Sequence, residues 1–133
     1  KHQTINLNAD ESILIMGMSS NLRSAFSNLV TNAIKYTPDG GKVDIFWGRH
    51  ESGDVTFSVT DSGIGIDATH IPRLTERFYR VDAGRSSATG GTGLGLAIVK
   101  HVLMQHSAHL TIESQPGLGS TFSCHFPRAL ITR

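Results

Sequence analysis

The chain has 133 residues, a net charge of +1 and a single cysteine, Cys124. That length suits one domain with a real core. The near-neutral charge gives no electrostatic case for nucleic acid, and one cysteine excludes an internal disulfide and fits a reducing compartment. No apolar run approaches the roughly 18 residues that suggest a membrane span, and a chain that begins at Lys1 with no initiator Met reads as a piece of a longer protein.

Residues 4–10 and 12–17 carry apolar and β-branched side chains around a polar Asn8-Ala9-Asp10-Glu11, and read as two short strands joined by a turn. Ser19, Ser20 and Asn21 then offer helix N-caps. The clearest helix is 21–36. Leu22, Phe26, Leu29, Val30, Ala33 and Ile34 make one apolar face, while Asn28, Asn32 and Lys35 stack along another. Pro38-Asp39-Gly40-Gly41 ends the helix with turn chemistry. Asn is a mediocre helix former, so two in line need a reason. Taken alone they suit an ordinary solvated face. Their neutral, hard amide oxygens also suit a Mg²⁺ ion already bound to phosphates.

Residues 42–50 and 54–61 alternate as strands, joined by a Glu51-Ser52-Gly53 hairpin. The second runs into Asp61-Ser62-Gly63-Ile64-Gly65-Ile66. Such a run can be a plain turn. It can also read a base: a carboxylate accepts from the exocyclic amine of adenine and repels the carbonyl oxygen guanine puts there, with glycines letting backbone lie against the purine.

Residues 67–91 show little periodicity beyond one turn near Ile71, and gather Arg73, Arg77, Arg80 and Arg85 around Phe78 and Tyr79. A loop this long in a compact domain is functional or disordered as a rule, and arginines suit phosphate. Next, Gly90-Gly91-Thr92-Gly93-Leu94-Gly95-Leu96 leads into a helix over 92–105, with Thr92 as N-cap and Leu94, Ala97, Ile98 and Val102 along one face. Glycines at a helix start admit a phosphate to the unpaired N–H groups, although the sequence fits neither a P-loop nor a dinucleotide fingerprint. Strands over 109–114 and 120–126 close the chain around a Gln115-Pro116-Gly117-Leu118-Gly119 turn. Cys124 alternates with phenylalanines and reads as core. The seven histidines show no zinc spacing and read as surface or sheet-packing residues.

Asn28-x-x-x-Asn32-Ala33, Asp61-x-Gly63-x-Gly65 and Gly91-Thr92-Gly93-Leu94-Gly95-Leu96, in this order, resemble the ATP-binding catalytic domain of sensor histidine kinases, a branch of the gyrase, heat-shock-90 and MutL-like ATPases. Phe78-Tyr79-Arg80-Val81-Asp82 is similar to the phenylalanine box of that family, and the stretch 71–82 looks most like its phosphate-regulon branch. The resemblance implies an α+β fold: a two-layer α/β sandwich of the Bergerat type, a mixed sheet with helices on one face. The whole of 1–133 would be one catalytic and ATP-binding domain, with 67–91 as ATP lid.

The resemblance also implies roles. Asn32 would coordinate Mg²⁺ and Asn28 would support metal and phosphates. Lys35 would reach the phosphates, Tyr36 would pack on the base and Asp61 would bind its amine, beside Gly63, Gly65 and Ile66. Tyr79 and Arg80 would come from the lid, with Arg80 bridging to the phosphates. The backbone of Gly91, Thr92, Gly93, Leu94, Gly95 and Leu96 would cradle the triphosphate. Hydrolysing relatives carry Glu where this chain has Asn28, and an amide is no general base. The γ-phosphoryl group would therefore pass to a histidine.

The phosphoacceptor motif of the family is absent here, since His2 leads into Gln3-Thr4-Ile5. The acceptor would sit on a dimerisation domain outside this chain, with a response regulator as further partner. The isolated domain would be monomeric, and cytoplasmic within a protein anchored in the bacterial inner membrane. Two alternatives share the nucleotide motifs: a Ser/Thr protein kinase of the anti-sigma-factor type, and a non-catalytic module whose lid orders with nucleotide.

Overall fold

A computed structural model of the chain describes residues 3–10, 19–49, 54–76 and 95–127. The elements are β1 (Thr4–Ala9), α1 (Ser19–Tyr36), β2 (Lys42–Arg49), β3 (Val55–Asp61), a single 3-10 turn at Ile71–Arg73, α2 (Gly95–Gln105), β4 (His109–Gln115) and β5 (Gly119–Phe126). The expected strand at 12–17, the Glu51-Ser52-Gly53 hairpin, the phenylalanine box at 78–82 and the glycine run at 90–94, including the Thr92 cap, lie outside the described residues.

The strands form one sheet in the order β1-β2-β3-β5-β4. β1 runs parallel to β2, which requires a crossover, and α1 supplies it. The other pairings are antiparallel, so the sheet is mixed as expected. Alternation sends Val43 and Ile45 of β2, Val55, Phe57 and Val59 of β3, and Phe122, Cys124 and Phe126 of β5 to one face. Both helices cover that face. Leu22, Ala25, Leu29 and Ala33 of α1 and Val99, Val102 and Leu103 of α2 are buried against it. Phe26 of α1 stacks on Phe57 at 4.1 Å between ring centroids and meets Phe126 edge-on at 6.0 Å. The result is the expected α+β two-layer sandwich.

The buried face of α2 is shifted from the expected one: Val102 is buried as expected, but Ile98 is not. Ile98 is 41% exposed, and Val99, Val102 and Leu103 face the core with Leu96 packed beside them. The cause is visible in the sequence. Leu96-Ala97-Ile98-Val99 is apolar on every side of a helical turn, so periodicity fits two faces and only the sheet chooses between them. His106 also departs from a surface reading. It is buried, and its Nδ1 lies 2.8 Å from the Val102 carbonyl oxygen. The helix then ends through Ser107 at φ 56°, with the Ala108 N–H donating to Leu103 O at 2.8 Å. That is a Schellman-type close with Ser at the left-handed position.

Cys124 is fully buried, and burial pushes its thiol up to about 12. A thiol in that environment carries almost no thiolate at neutral pH. Iodoacetamide should therefore leave it unmodified in the folded protein and label it fully after denaturation, as mass spectrometry would show.

Candidate functional site

Two clusters of the expected residues assemble at opposite ends of one stretch of α1. At the C-terminal end, α1 closes on itself: the Thr37 hydroxyl, fully buried, donates to Ala33 O at 2.7 Å, and the Gln3 side-chain amide donates to Ile34 O at 3.1 Å and to Thr37 O. This holds the Tyr36 carbonyl against the loop that follows β3. The Ile64 N–H reaches Tyr36 O at 3.4 Å, and a Cβ built at Gly63 would stand 2.4 Å from the same oxygen. Only glycine permits that approach.

Asp61 ends β3 beside this contact. It is 7% exposed, and its Oδ1 accepts from the Gly63 N–H at 2.9 Å. Burial raises its carboxyl above the ordinary aspartate value, against the lowering effect of the Gly63 and Ser120 backbone N–H groups. A desolvated carboxylate that holds, among the described residues, backbone donors alone is poised to take a further polar hydrogen.

The rest of the loop rests on the β4–β5 turn. The Gly117 N–H donates to Ile64 O at 2.8 Å and the Ile66 N–H to Ser114 Oγ at 2.7 Å. Gly65 has φ 74°, and a Cβ there would fall 2.1 Å from Gln115 O. Gly63 and Gly65 were expected to bring backbone against a purine. In the fold their bare Cα atoms also face neighbouring backbone, so they set the loop's position before any ligand arrives. The loop then turns at Asp67, whose Oδ1 accepts from the Thr69 N–H and hydroxyl, both at 2.9 Å. Leu74, buried at 7%, fastens the start of the 67–91 segment to the core.

The second cluster lies two turns back along α1. Asn28 Nδ2 donates to Ser24 O at 2.9 Å, which leaves Oδ1 as the acceptor of that side chain. A Cβ built at Gly95, the first residue of α2, would lie 3.1 Å from that oxygen. A neutral hard oxygen thus stands at the start of α2, where unpaired backbone N–H groups concentrate. Asn32 is half-buried and Lys35 exposed along the same stretch. At 1.5 Å per residue, Asn28 and Tyr36 are about 12 Å apart along the axis. Tyr79, Arg80, Gly91, Thr92, Gly93 and Leu94 fall outside the described residues. Leu96 packs against the core.

An apolar groove of about 580 Å³ lies elsewhere on α1, lined by Leu22, Phe26, Val30, Ile45 and Phe57 among others. It touches none of the expected site residues. Among the described residues there is no group of three or more His, Cys, Asp or Glu that could hold a metal ion. Sequence reading missed Ser114, Ser120 and the β4–β5 turn as supports of the Asp61 loop.

A family profile described as histidine kinase-, DNA gyrase B- and HSP90-like ATPase matches residues 17–130. The chain belongs to this family. Within it, the chain is 58% identical over 131 residues to the phosphate regulon sensor protein PhoR of Pseudomonas aeruginosa, covering 98% of this chain and 29% of that protein. The chain thus spans under a third of the length of this curated relative. Among solved ATPase-family structures, a mycobacterial sensor histidine kinase, MprB, superposes with a TM-score of 0.78 at 31% identity, covering 95% of this chain and 82% of that one. Full-length ShkA in complex with AMPPNP matches with a TM-score of 0.77 at 27% identity, covering 95% of this chain and 25% of that one. Among the described residues of this ATPase domain, no helix is long and apolar enough to cross a membrane.

Proposed function

We propose that this chain is the catalytic, ATP-binding domain of a phosphate-responsive sensor histidine kinase. It would bind Mg-ATP and pass the γ-phosphoryl group to a histidine on a separate dimerisation domain. The observation that carries the reading is the two-ended site on α1, with a buried carboxylate at one end and a fixed amide oxygen facing a helix start at the other. Its length of about 12 Å suits an extended nucleotide lying beside the helix.

Asp61 accepts the exocyclic amine of adenine, and the 63–66 backbone and Tyr36 confine the base. Asn32 and Asn28 would hold Mg²⁺ through amide oxygens, and the residues present fit it because the Asn28 nitrogen is already committed to Ser24. When bound, Mg-ATP supplies the phosphoryl group together with much of the charge neutralisation its transfer requires. Lys35 and Arg80 add positive charge around the phosphates, and the N–H groups of 91–96 orient them. Asn28 offers no general base to activate water, so the chain favours transfer over hydrolysis. Residues 67–91 act as lid, with Leu74 as fixed anchor. The domain is cytoplasmic in a membrane-anchored protein and works with a response regulator.

Calorimetric titration with ATP and GTP, each with and without Mg²⁺, tests the reading. ATP should bind at least tenfold more tightly than GTP, and removal of Mg²⁺ should weaken ATP. Equal affinity for both nucleotides would remove the adenine assignment.

A further inference from the structure

The sheet register sets three polar residues in one row. Asp61 of β3 faces Ser120 of β5, and Ser120 faces Ser114 of β4. The adjacent row, Val59, Phe122 and Ile112, belongs to the core, so the polar row lies at the edge of the apolar layer. Ser114 Oγ accepts from the Ile66 N–H at 2.7 Å, lies 3.0 Å from Gly119 O and 2.7 Å from Ser120 Oγ.

A hydroxyl has one proton and two lone pairs. The Ile66 N–H occupies one pair. The Gly119 carbonyl can only accept, so the Ser114 proton goes there. The remaining pair then takes the Ser120 hydroxyl proton. All three capacities of Ser114 are used, and Ser120 is left with acceptor capacity alone. One side chain thus ties together the loop after Asp61, the β4–β5 turn and the residue whose backbone N–H faces the Asp61 carboxylate.

We propose that Ser114 is a positioning residue for nucleotide binding: it locks Ile64–Ile66 onto the β4–β5 turn and fixes the Ser120 hydroxyl beside Asp61. The inference rests on the reading of Asp61 as the adenine-binding residue. Ser114 itself touches no ligand. Its effect comes from sparing the loop an ordering cost on binding, since preorganised segments bind more tightly.

The test combines calorimetry with MgATP and residue-resolved amide exchange on the 133-residue chain. In the parent, the Ile66 amide should be protected before nucleotide is added. Ser114→Ala should speed its exchange while Phe57 in the core strand keeps its protection, and should weaken ATP about tenfold, the scale of one lost hydrogen bond. Ser114→Thr, which keeps the hydroxyl, should restore both. An unprotected Ile66 amide in the parent would overturn the proposal without any variant. So would parent-like ATP affinity in Ser114→Ala, failure of Ser114→Thr to rescue, or parallel acceleration at Phe57 and Ile66, which marks a general stability role. Asp61→Ala serves as reference: unchanged ATP affinity there removes the adenine reading itself, whereas lost affinity there with an indifferent Ser114→Ala removes only the present inference.

Discussion

Asp61→Ala should weaken ATP binding by roughly 30- to 100-fold, the range expected when a hydrogen bond to a charged acceptor is lost in a water-poor site. The structure adds an effect of opposite sign on stability. Asp61 is raised by burial, so the folded chain holds its proton more tightly than the unfolded chain does. Stability from this group is present at low pH and declines as pH rises from the ordinary aspartate range through the raised folded value. Once ionised, the carboxylate therefore opposes folding. Asp61→Asn keeps an acceptor for the Gly63 N–H and removes the charge, so it should melt at a higher temperature than the parent at pH 7. The difference should shrink as pH falls below the carboxylate's pKa. ATP affinity of the parent should follow the opposite course and fall as Asp61 becomes protonated. Thermal melts and ATP titrations across pH check both. A lower melting point for Asp61→Asn at pH 7, or an ATP affinity in Asp61→Ala equal to the parent's, would count against a carboxylate kept for binding at the expense of the fold.

A costly buried carboxylate, with the binding role proposed for it, explains why this residue stood out in the sequence. Asp at a strand end followed by spaced glycines is polar where an apolar strand should continue, and a local rule broken there signals a site. The amphipathic face of α1 was legible for a similar reason: Leu22, Leu29 and Ala33 recur at helical spacing and are buried as that spacing demands. Its first turn was not, because Ser19 and Ser20 suit a cap as well as a helix start. α2 was legible as a helix and misleading in its face, since an apolar run such as Leu96–Val99 carries no phase. The parallel union of β1 with β2 is decided by tertiary packing around α1, and neither strand records it. Ser114 was silent too. A serine in an alternating strand looks like any polar position, and its three partners come from separate segments that meet only in the fold.

The other large effect is expected at Asn32. Asn32→Ala should cut phosphoryl transfer about 100-fold while changing ATP affinity by less than about fivefold, because base and phosphate contacts survive while metal placement does not. The split follows from how α1 divides its work. In the proposed site the base end belongs to Asp61, Tyr36 and the glycine loop, and the metal to Asn32, one turn before Tyr36 on α1. In the same reading the phosphate end would rely on amide oxygens one turn apart, and Asn28 alone would not fix an ion that needs near-octahedral surroundings. A loss confined to transfer is what a transition-state interaction predicts, whereas equal loss in binding and transfer would place Asn32 among simple affinity contacts. The measurement mixes the chain with a phosphoacceptor domain supplied as a separate polypeptide and radiolabelled ATP, alongside calorimetry on the same variant. Full transfer by Asn32→Ala would remove it as metal ligand. Asn32→Asp sharpens the result: a carboxylate still binds Mg²⁺ but sets negative charge beside the phosphates, so transfer should stay low even where metal binding returns.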